Sequence, residues 1–586
     1  MTTPSKQQKE IIEYGLAPLS VIACAGSGKT FTAVRRVESV QTLLGSGRGR
    51  VALLSFSNVA VDVFGRSYSE GLSSRDKGGR ARVSIETFDG FITAEILRPH
   101  ASRTMGCEGA PFLLMGAEDF LLNTQYRFWP KGQKFPADIE DVEVEYTAGG
   151  VKFLCRVFSK TLEIENGLQP TVRLGKIGAY THSLGRYWAY QTLKREPKIL
   201  AALARRYPQV IVDEAQDIGS MQVALLELLT GAGSEVTLIG DPNQAIFEFR
   251  GADGSYLRSY PSRQGVIARD LFINYRSVPL IVTAANSLAQ RSDLADRTEP
   301  AADNGVFFLP FRKGDEGKLI KAFEKAVVAA GLSLSKSAIV CRAAKKKQAL
   351  RNLGQEYGQG TTKLFASAAM ARDLAGDYYE AFRVTVHAVS ALLKNPPRKL
   401  CSGLLDPSRY PELRSVRRLV WEFTRNPAQG LPSCMLSMDA EWHPRLVERV
   451  KGLLDRLKQG HQLDFQDNLS MRLKKTGLPV GPLIAPGAEK RAIDLALRVE
   501  TVHGVKGESL DAVLYLADRE HVKAIVNGTG TELGRIGYVA VTRARDLFWL
   551  GITEEDAAIH RDALRKHTFV ERNYDPQLDL PLASPA

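Results

Sequence analysis

Short apolar runs alternate with helix-period stretches before Ser55 and again after Gln209, the order of elements in a parallel α/β sheet. VIACAGSGKTF (Val21–Phe31) leaves one such run and enters AVRRVESVQTLL, whose apolar spacing is helical, and QVIVDEAQD (Gln209–Asp217) is a buried-strand pattern that ends in two acids. Over roughly residues 100–195 the pattern changes. VEVEYTAGGVKFLCRVF alternates apolar and polar positions on both sides of Ala148-Gly149-Gly150 and predicts a β-hairpin inserted into the first sheet. A second α/β pattern begins near residue 278, with SAIVCRA (Ser337–Ala343) and DAVLYLAD (Asp511–Asp518) as buried strands. Between them, residues 353–494 are mostly helical in pattern, as in DYYEAFRVTVHAVSALLK and HPRLVERVKGLLDRLKQG, broken by loops such as NPAQGLPS and KKTGLPVGPLIAPG.

A chain of 586 residues is too long for one core, so several domains are expected. Apolar content of 44% and charged content of 24% are those of an ordinary globular protein. No apolar stretch reaches spanning length and MTTPSKQQKE has no signal-peptide core, so a cytoplasmic protein with no membrane partner is expected. The six cysteines are scattered without a C-x-x-C pair, which argues against a zinc site, an iron–sulfur cluster or a disulfide framework. A formal charge of +13 suits a polyanionic partner. Local clusters that add to this are Lys345-Lys346-Lys347, Lys474-Lys475 and the aromatic-basic run YRFWPKGQKF (Tyr126–Phe135), each of which also reads as a solvated face.

Two stretches carry candidate chemistry. In Ala23-Cys24-Ala25-Gly26-Ser27-Gly28, small side chains let successive backbone N–H groups curl around a phosphate at the start of the following helix. Lys29 would reach the β/γ-phosphates and Thr30 would hold Mg²⁺. Ala23 stands where the P-loop pattern has glycine, and a plain glycine-rich turn is the alternative. At the end of the Val210–Val212 run, Asp213 would hold Mg²⁺ and Glu214 would act as general base on the attacking water. An acidic helix start is the alternative there.

Further motifs follow in order: VTLIGDPNQAIFEFRGAD (Val236–Asp253), FINYRS (Phe272–Ser277), TVHGVKGES (Thr501–Ser509) and YVAVTRAR (Tyr538–Arg545), with Gln8 twenty-one residues before Lys29. This ordered set, covering nearly the full chain, resembles the UvrD/Rep family of superfamily 1 helicases. The resemblance implies an α/β protein with two RecA-like parallel-sheet domains, each interrupted by an insertion. Residues 1–99 and 196–277 would form the first, with an α+β insertion carrying the hairpin at 100–195; residues 278–352 and 495–556 would form the second, with a mainly helical insertion at 353–494 and a C-terminal tail at 557–586. It implies ATP bound between the domains and 3′ to 5′ movement on single-stranded or tailed DNA.

Carried over by motif, Gln8 resembles the residue that reads the adenine edge and Tyr275 the ring that stacks on it; Gln244 resembles the γ-phosphate sensor, and Arg276 and Arg543 the two γ-phosphate arginines. For the DNA track, Phe56 and Phe249 match base-stacking positions, Arg250, His503 and Lys506 match polar contacts to the strand, and Asn58 and Thr87 match backbone-facing positions. Departures from the family pattern are specific. Phe31 follows GKT where many relatives have an arginine, Ser509 stands at the usual ribose-binding glutamate with Glu508 one position early, Val59 replaces a lysine, and Asp89 replaces a histidine.

After Arg543 the sequence turns into a helical pattern where UvrD and Rep have a strand-separating hairpin, and the roughly forty residues that follow are too few for a fused nuclease domain. ETFDGFITAEILRPH (Glu86–His100) is similar to the shortened UvrD-like helicases of Gabija-type anti-phage defence, which implies a partner ATPase-nuclease. The sequence leaves open a DNA-end-sensing ATPase that regulates such a partner with little unwinding of its own, a DNA repair or recombination helicase, and an RNA-directed motor of the same superfamily.

Overall fold

Every residue of the Val51–Ser55 and Gln209–Asp213 strands is buried in the computed structural model, as central strands of a parallel sheet require. The structure describes residues 3–573 except 46, 73–81, 115, 117, 158–159, 249–250, 301, 344–345, 348–349, 351–356, 374–375, 398–399, 406–409 and 484–496. The first six-stranded sheet runs Ile267–Leu271, Leu19–Ala23, Glu235–Gly240, Gln209–Asp213, Val51–Ser55 and Val83–Thr87, all paired in parallel. Its register sets Ile22 beside Gly240 and Ile239 beside Asp213, so the loop after Ala23 and the acids at Asp213 and Glu214 leave the same edge. The carboxyl edge of an open parallel sheet is where such folds bind ligands.

The second six-stranded sheet orders Arg498–Thr501, Ala338–Cys341, Leu510–Leu516, Ala544–Thr553, Gly305–Phe311 and Val570–Glu571. From Ala338–Cys341 onward its pairings are parallel. Apart from Arg498 and Val499, both sheets lie within one compact unit, Met1–Ala344 with Glu500–Ala586; Lys345–Val499 is the other. The chain is thus α/β with parallel sheets and inserted segments.

The hairpin forms where the alternating pattern places it. Val142–Thr147 pairs antiparallel with Gly150–Val157, Thr147 stands opposite Gly150, and Lys160–Glu163 adds a third strand. The insertion shares its core with the first sheet: Phe153, Tyr187 and Trp188 belong to the same buried cluster as Leu54, Val212 and Leu238. The second unit is helical, with Phe382, Val420, Trp442 and Leu454 buried at its centre. There Arg372 donates to the carbonyls of Thr424 (2.8 Å) and Leu431 (2.6 Å), tying the end of the helix Arg414–Arg425 and the loop after it to the helix Gly360–Asp373.

A boundary differs from the sequence reading. Residues 557–571 are not a tail: the helix Glu554–Lys566 and the strand Val570–Glu571 complete the second sheet, because Ala557, Leu564 and Phe569 bury their apolar side chains in its core. None of the six cysteines is in a disulfide, and five are buried. Among the described residues no helix is long and apolar enough to cross a membrane.

Candidate functional site

The loop from Ala23 to Gly28 joins the Leu19–Ala23 strand to the helix Lys29–Leu43, placing Lys29 and Thr30 in its first turn. Gly26 and Gly28 have φ of +72° and +78°, a region that L side chains rarely adopt. Space forbids a side chain as well: a Cβ on Gly26 would lie 2.6 Å from Arg276 Cβ and Asn274 Oδ1, and one on Gly28 would lie 2.9 Å from Gln8 Nε2. Ser27 Oγ (2.8 Å) and Lys29 Nζ (3.4 Å) both donate to the Cys24 carbonyl, so the lysine folds over the loop. Gly26→Ala is expected to lower stability by about 1–3 kcal/mol through strain and overpacking. Nucleotide affinity should fall with it; thermal unfolding with and without a non-hydrolysable nucleotide checks both.

Gln8 reaches the loop from the helix Lys6–Ile12, with Nε2 donating to the Ser27 carbonyl at 3.2 Å and Oε1 accepting from Ser5 N–H in a capping box. Arg36 fixes that helix, donating to the carbonyls of Ile11 (2.8 Å) and Tyr14 (3.1 Å) from a fully buried position. Tyr275 N–H donates to the Gly26 carbonyl at 3.0 Å, and its buried hydroxyl has no hydrogen-bond partner among the described residues. Phe31 is half-buried, with the Arg35 guanidinium 5.7 Å from its ring centre.

Asp213 ends its strand 2% exposed, and its Oδ1 has no hydrogen-bond partner among the described residues. Burial and then the neighbouring Glu214 charge push its carboxyl up to about 7, against the pull of Lys29. For Glu214 burial also acts upward, but Lys29, Lys506, the Gln216 amide and Arg543 outweigh it and hold the group below its ordinary value. Glu214 has φ of +54°, which for a non-glycine residue marks strain held in place by its surroundings. The Gln216 amide donates to Glu214 and its Oε1 accepts from Asp241 N–H at 3.1 Å. An orphaned carboxylate oxygen near a helix-start threonine fits a hard divalent cation whose other ligands are phosphate and water. No cluster of three or more His, Cys, Asp or Glu able to hold a metal occurs among the described residues, so such a cation would depend on a phosphate-bearing ligand.

Arg543 is 2% exposed at the end of the helix Glu532–Arg543. It donates to Gln244 Oε1 (3.2 Å) and to the Glu508 carbonyl (3.3 Å). Arg276 donates to the Thr542 carbonyl at 3.0 Å. Burial, then the charge of Arg543, pushes the Arg276 guanidinium down to about 9, and burial likewise lowers Arg543. Neither forms an ion pair among the described residues. Two cations with no ion pair among the described residues, Arg543 buried and Arg276 half-buried, face a glycine loop with its lysine and form a site that a polyanion would neutralise. Asp241 organises the contact, accepting from Gln244 Nε2 (2.8 Å) and Tyr538 Oη (3.1 Å). Asp241 and Tyr538 lie inside the quoted motifs, but nothing in the pattern gave either a role.

The other candidates are less uniform in placement. Phe56 is half-buried, with its ring 6.2 Å from that of Phe88, and Asn58 is exposed at the start of the helix Asn58–Leu72. Thr87 caps a helix, its hydroxyl accepting from Gly90 N–H at 3.0 Å. His503 Nε2 lies 3.0 Å from the Ile246 carbonyl. Lys506 does not face an open surface: its ammonium is buried 2.8 and 2.6 Å from the two Asp217 oxygens and 4.6 Å from the Phe247 ring centre. Phe249 and Arg250 lie outside the described residues. Asp89 takes Arg186 in a two-pronged ion pair at 2.8 Å, so the carboxylate here anchors the inserted segment. Ser509 is exposed, one position beyond half-buried Glu508. Lys506→Met would leave the Asp217 charge buried and unpaired, costing about 3–5 kcal/mol in denaturant unfolding. Adding Asp217→Asn should recover most of that loss.

The strand–loop–helix with its acids at the same edge of the sheet, two strands away, is the architecture of P-loop nucleotide-binding proteins. Comparison with known proteins narrows it further. The UvrD/REP helicase N-terminal domain matches residues 180–263. The chain is 27% identical to the ATP-dependent DNA helicase UvrD1 of Mycobacterium tuberculosis over 316 residues, covering 49% of this chain and 39% of that protein. It is 23% identical to DNA helicase II of Escherichia coli over 301 residues, covering 49% and 40%. A longer match, 24% over 364 residues, is to DNA helicase II of Haemophilus influenzae, covering 57% of this chain and 48% of that protein. These matches show homology to the UvrD/Rep helicases of superfamily 1, and the chain spans less than half the length of each of the three.

Proposed function

We propose that the chain is a Mg²⁺- and ATP-dependent DNA motor that moves 3′ to 5′ on single-stranded DNA. The observation that carries this reading is the pair of guanidinium groups with no ion pair among the described residues, buried Arg543 and half-buried Arg276, brought to the same site as Lys29, Asp213 and Glu214. The loop amides and Lys29 bind the phosphates, Gln8 and Tyr275 hold the base, and Glu214 takes the proton of the attacking water. Thr30 and Asp213 would hold Mg²⁺, which supplies charge neutralisation on the phosphate oxygens. The two parallel sheets act as RecA-like domains, and Gln244, bonded to Arg543 at 3.2 Å, relays the state of the site between them. Phe56, Asn58, Thr87, Phe249, Arg250, His503 and Lys506 form the strand-binding track, with Lys506 exchanging Asp217 for a phosphate.

A second reading rests on the Ala544–Thr553 strand, which runs directly into the helix Glu554–Lys566 where a strand-separating hairpin would stand. It favours a translocase or end sensor serving a partner nuclease, as in Gabija-type defence, over an autonomous helicase. Strand displacement on duplexes with a 3′ tail, a 5′ tail or none, with Lys29→Ala as control, separates the two. Release from the 3′-tailed duplex alone supports the helicase, and DNA-stimulated hydrolysis without release supports the end sensor. Displacement indifferent to tail and to Lys29→Ala overturns both.

A further inference from the structure

The Tyr126–Phe135 run found in the sequence is absorbed by neither the nucleotide site nor the motif track. In the structure it is a firmly built loop. Phe128 is 1% exposed, the Ala137 N–H donates to its carbonyl at 2.8 Å, a turn closes from Gln133 N–H to the Pro130 carbonyl at 3.1 Å, and Lys131 N–H donates to the Glu163 carbonyl at 2.8 Å. This frame holds two large aromatic side chains in solvent, Trp129 at 47% and Phe135 at 79% exposure. Large rings are normally buried, and leaving two on one anchored loop costs burial that the fold could otherwise use.

Charge surrounds them. The run contains Arg127, Lys131 and Lys134 and no acid. Trp129 also borders a cleft of about 450 Å³ whose lining includes Arg127, Lys131, Arg173, Gln169 and Glu165. Arg173 is oriented by a bond to the Gln125 carbonyl at 3.2 Å. The one carboxylate in that set, Glu165, pairs with Lys131 at 2.8 Å, with both side chains more than half exposed, so the lysine is readily handed to another anion.

We infer that the Trp129–Phe135 loop and its cleft are a second nucleic-acid contact, in which bases of a single strand stack on the two rings while Arg127, Lys131, Lys134 and Arg173 take its phosphates. Exposed rings among cations suit this ligand because stacking is indifferent to base identity and the cations follow a phosphate backbone. The surplus of positive charge favours a nucleic acid over a protein surface. The inference rests on the reading that the chain acts on DNA.

The test is equilibrium binding of a labelled oligothymidylate to the full chain, the Trp129→Ala/Phe135→Ala double variant and Trp129→Phe/Phe135→Tyr, with DNA-stimulated ATP hydrolysis followed in parallel. The expected result is a loss of affinity of about five- to a hundredfold in the alanine variant, with the aromatic variant recovering most of it. Lys131→Gln/Lys134→Gln should lower the slope of log affinity against log salt by about 0.7 for each phosphate that is no longer neutralised. Unaltered affinity in the alanine variant, with the unmodified chain still hydrolysing ATP on DNA, overturns this inference and leaves the motor intact. An unmodified chain that neither binds the strand nor responds to it overturns both.

Discussion

Arg543→Met is expected to reduce DNA-stimulated ATP turnover by about 10³–10⁵-fold, the range an arginine finger contributes to phosphoryl transfer. Methionine keeps much of the apolar stem that packs at this 2% exposed position. Lys29, Lys506 and the Gln216 amide still hold the Glu214 carboxylate when Arg543 is removed, so thermal stability should fall far less than turnover does. That split is informative: a structural arginine lost from a packed helix end would reduce stability and turnover together. Arg543→Lys should recover only part of the rate, since a point charge cannot reproduce the fork that reaches both Gln244 and the Glu508 carbonyl. Single-turnover hydrolysis beside thermal unfolding checks both halves.

The second large effect is expected at Glu214. Glu214→Gln should slow hydrolysis by about 10²–10⁴-fold, the usual contribution of a positioned general base, while ATP remains bound. The shape of the side chain is kept and only its charge is lost, so the φ of +54° and the contact with Gln216 should survive. Removing that negative neighbour also lowers the Asp213 carboxyl, whose elevation owes its second-largest part to Glu214. The variant should therefore hold Mg²⁺ at least as well as the unmodified chain, and normal turnover would mean that another group activates the water. Nucleotide affinity measured by filter binding, beside product formation, separates retention from hydrolysis.

Local pattern made the strands and helices legible because apolar periodicity is written in neighbouring residues. The hairpin at Thr147 and Gly150 and the buried strands at Val51, Gln209 and Leu510 follow from it directly. What escaped depends on distant partners. The Asp89–Arg186 pair joins positions 97 residues apart and the Lys506–Asp217 pair positions 289 apart, so neither side chain announces its partner in its own motif. The segment from residue 557 gives little signal of its place in the second sheet, because the buried face of its helix is only Asp556, Ala557 and Leu564. At the nucleotide site the glycines were legible as a loop, but the steric reason for Gly26 is Arg276, 250 residues away in sequence.

The most direct test of the central claim is steady-state ATP hydrolysis by the purified chain with Mg²⁺, with and without single-stranded DNA, beside Lys29→Ala. The account predicts hydrolysis that rises on addition of the strand, weakens steeply as salt is raised, and disappears in the variant. Hydrolysis that is indifferent to DNA, or that survives loss of Lys29, would contradict it.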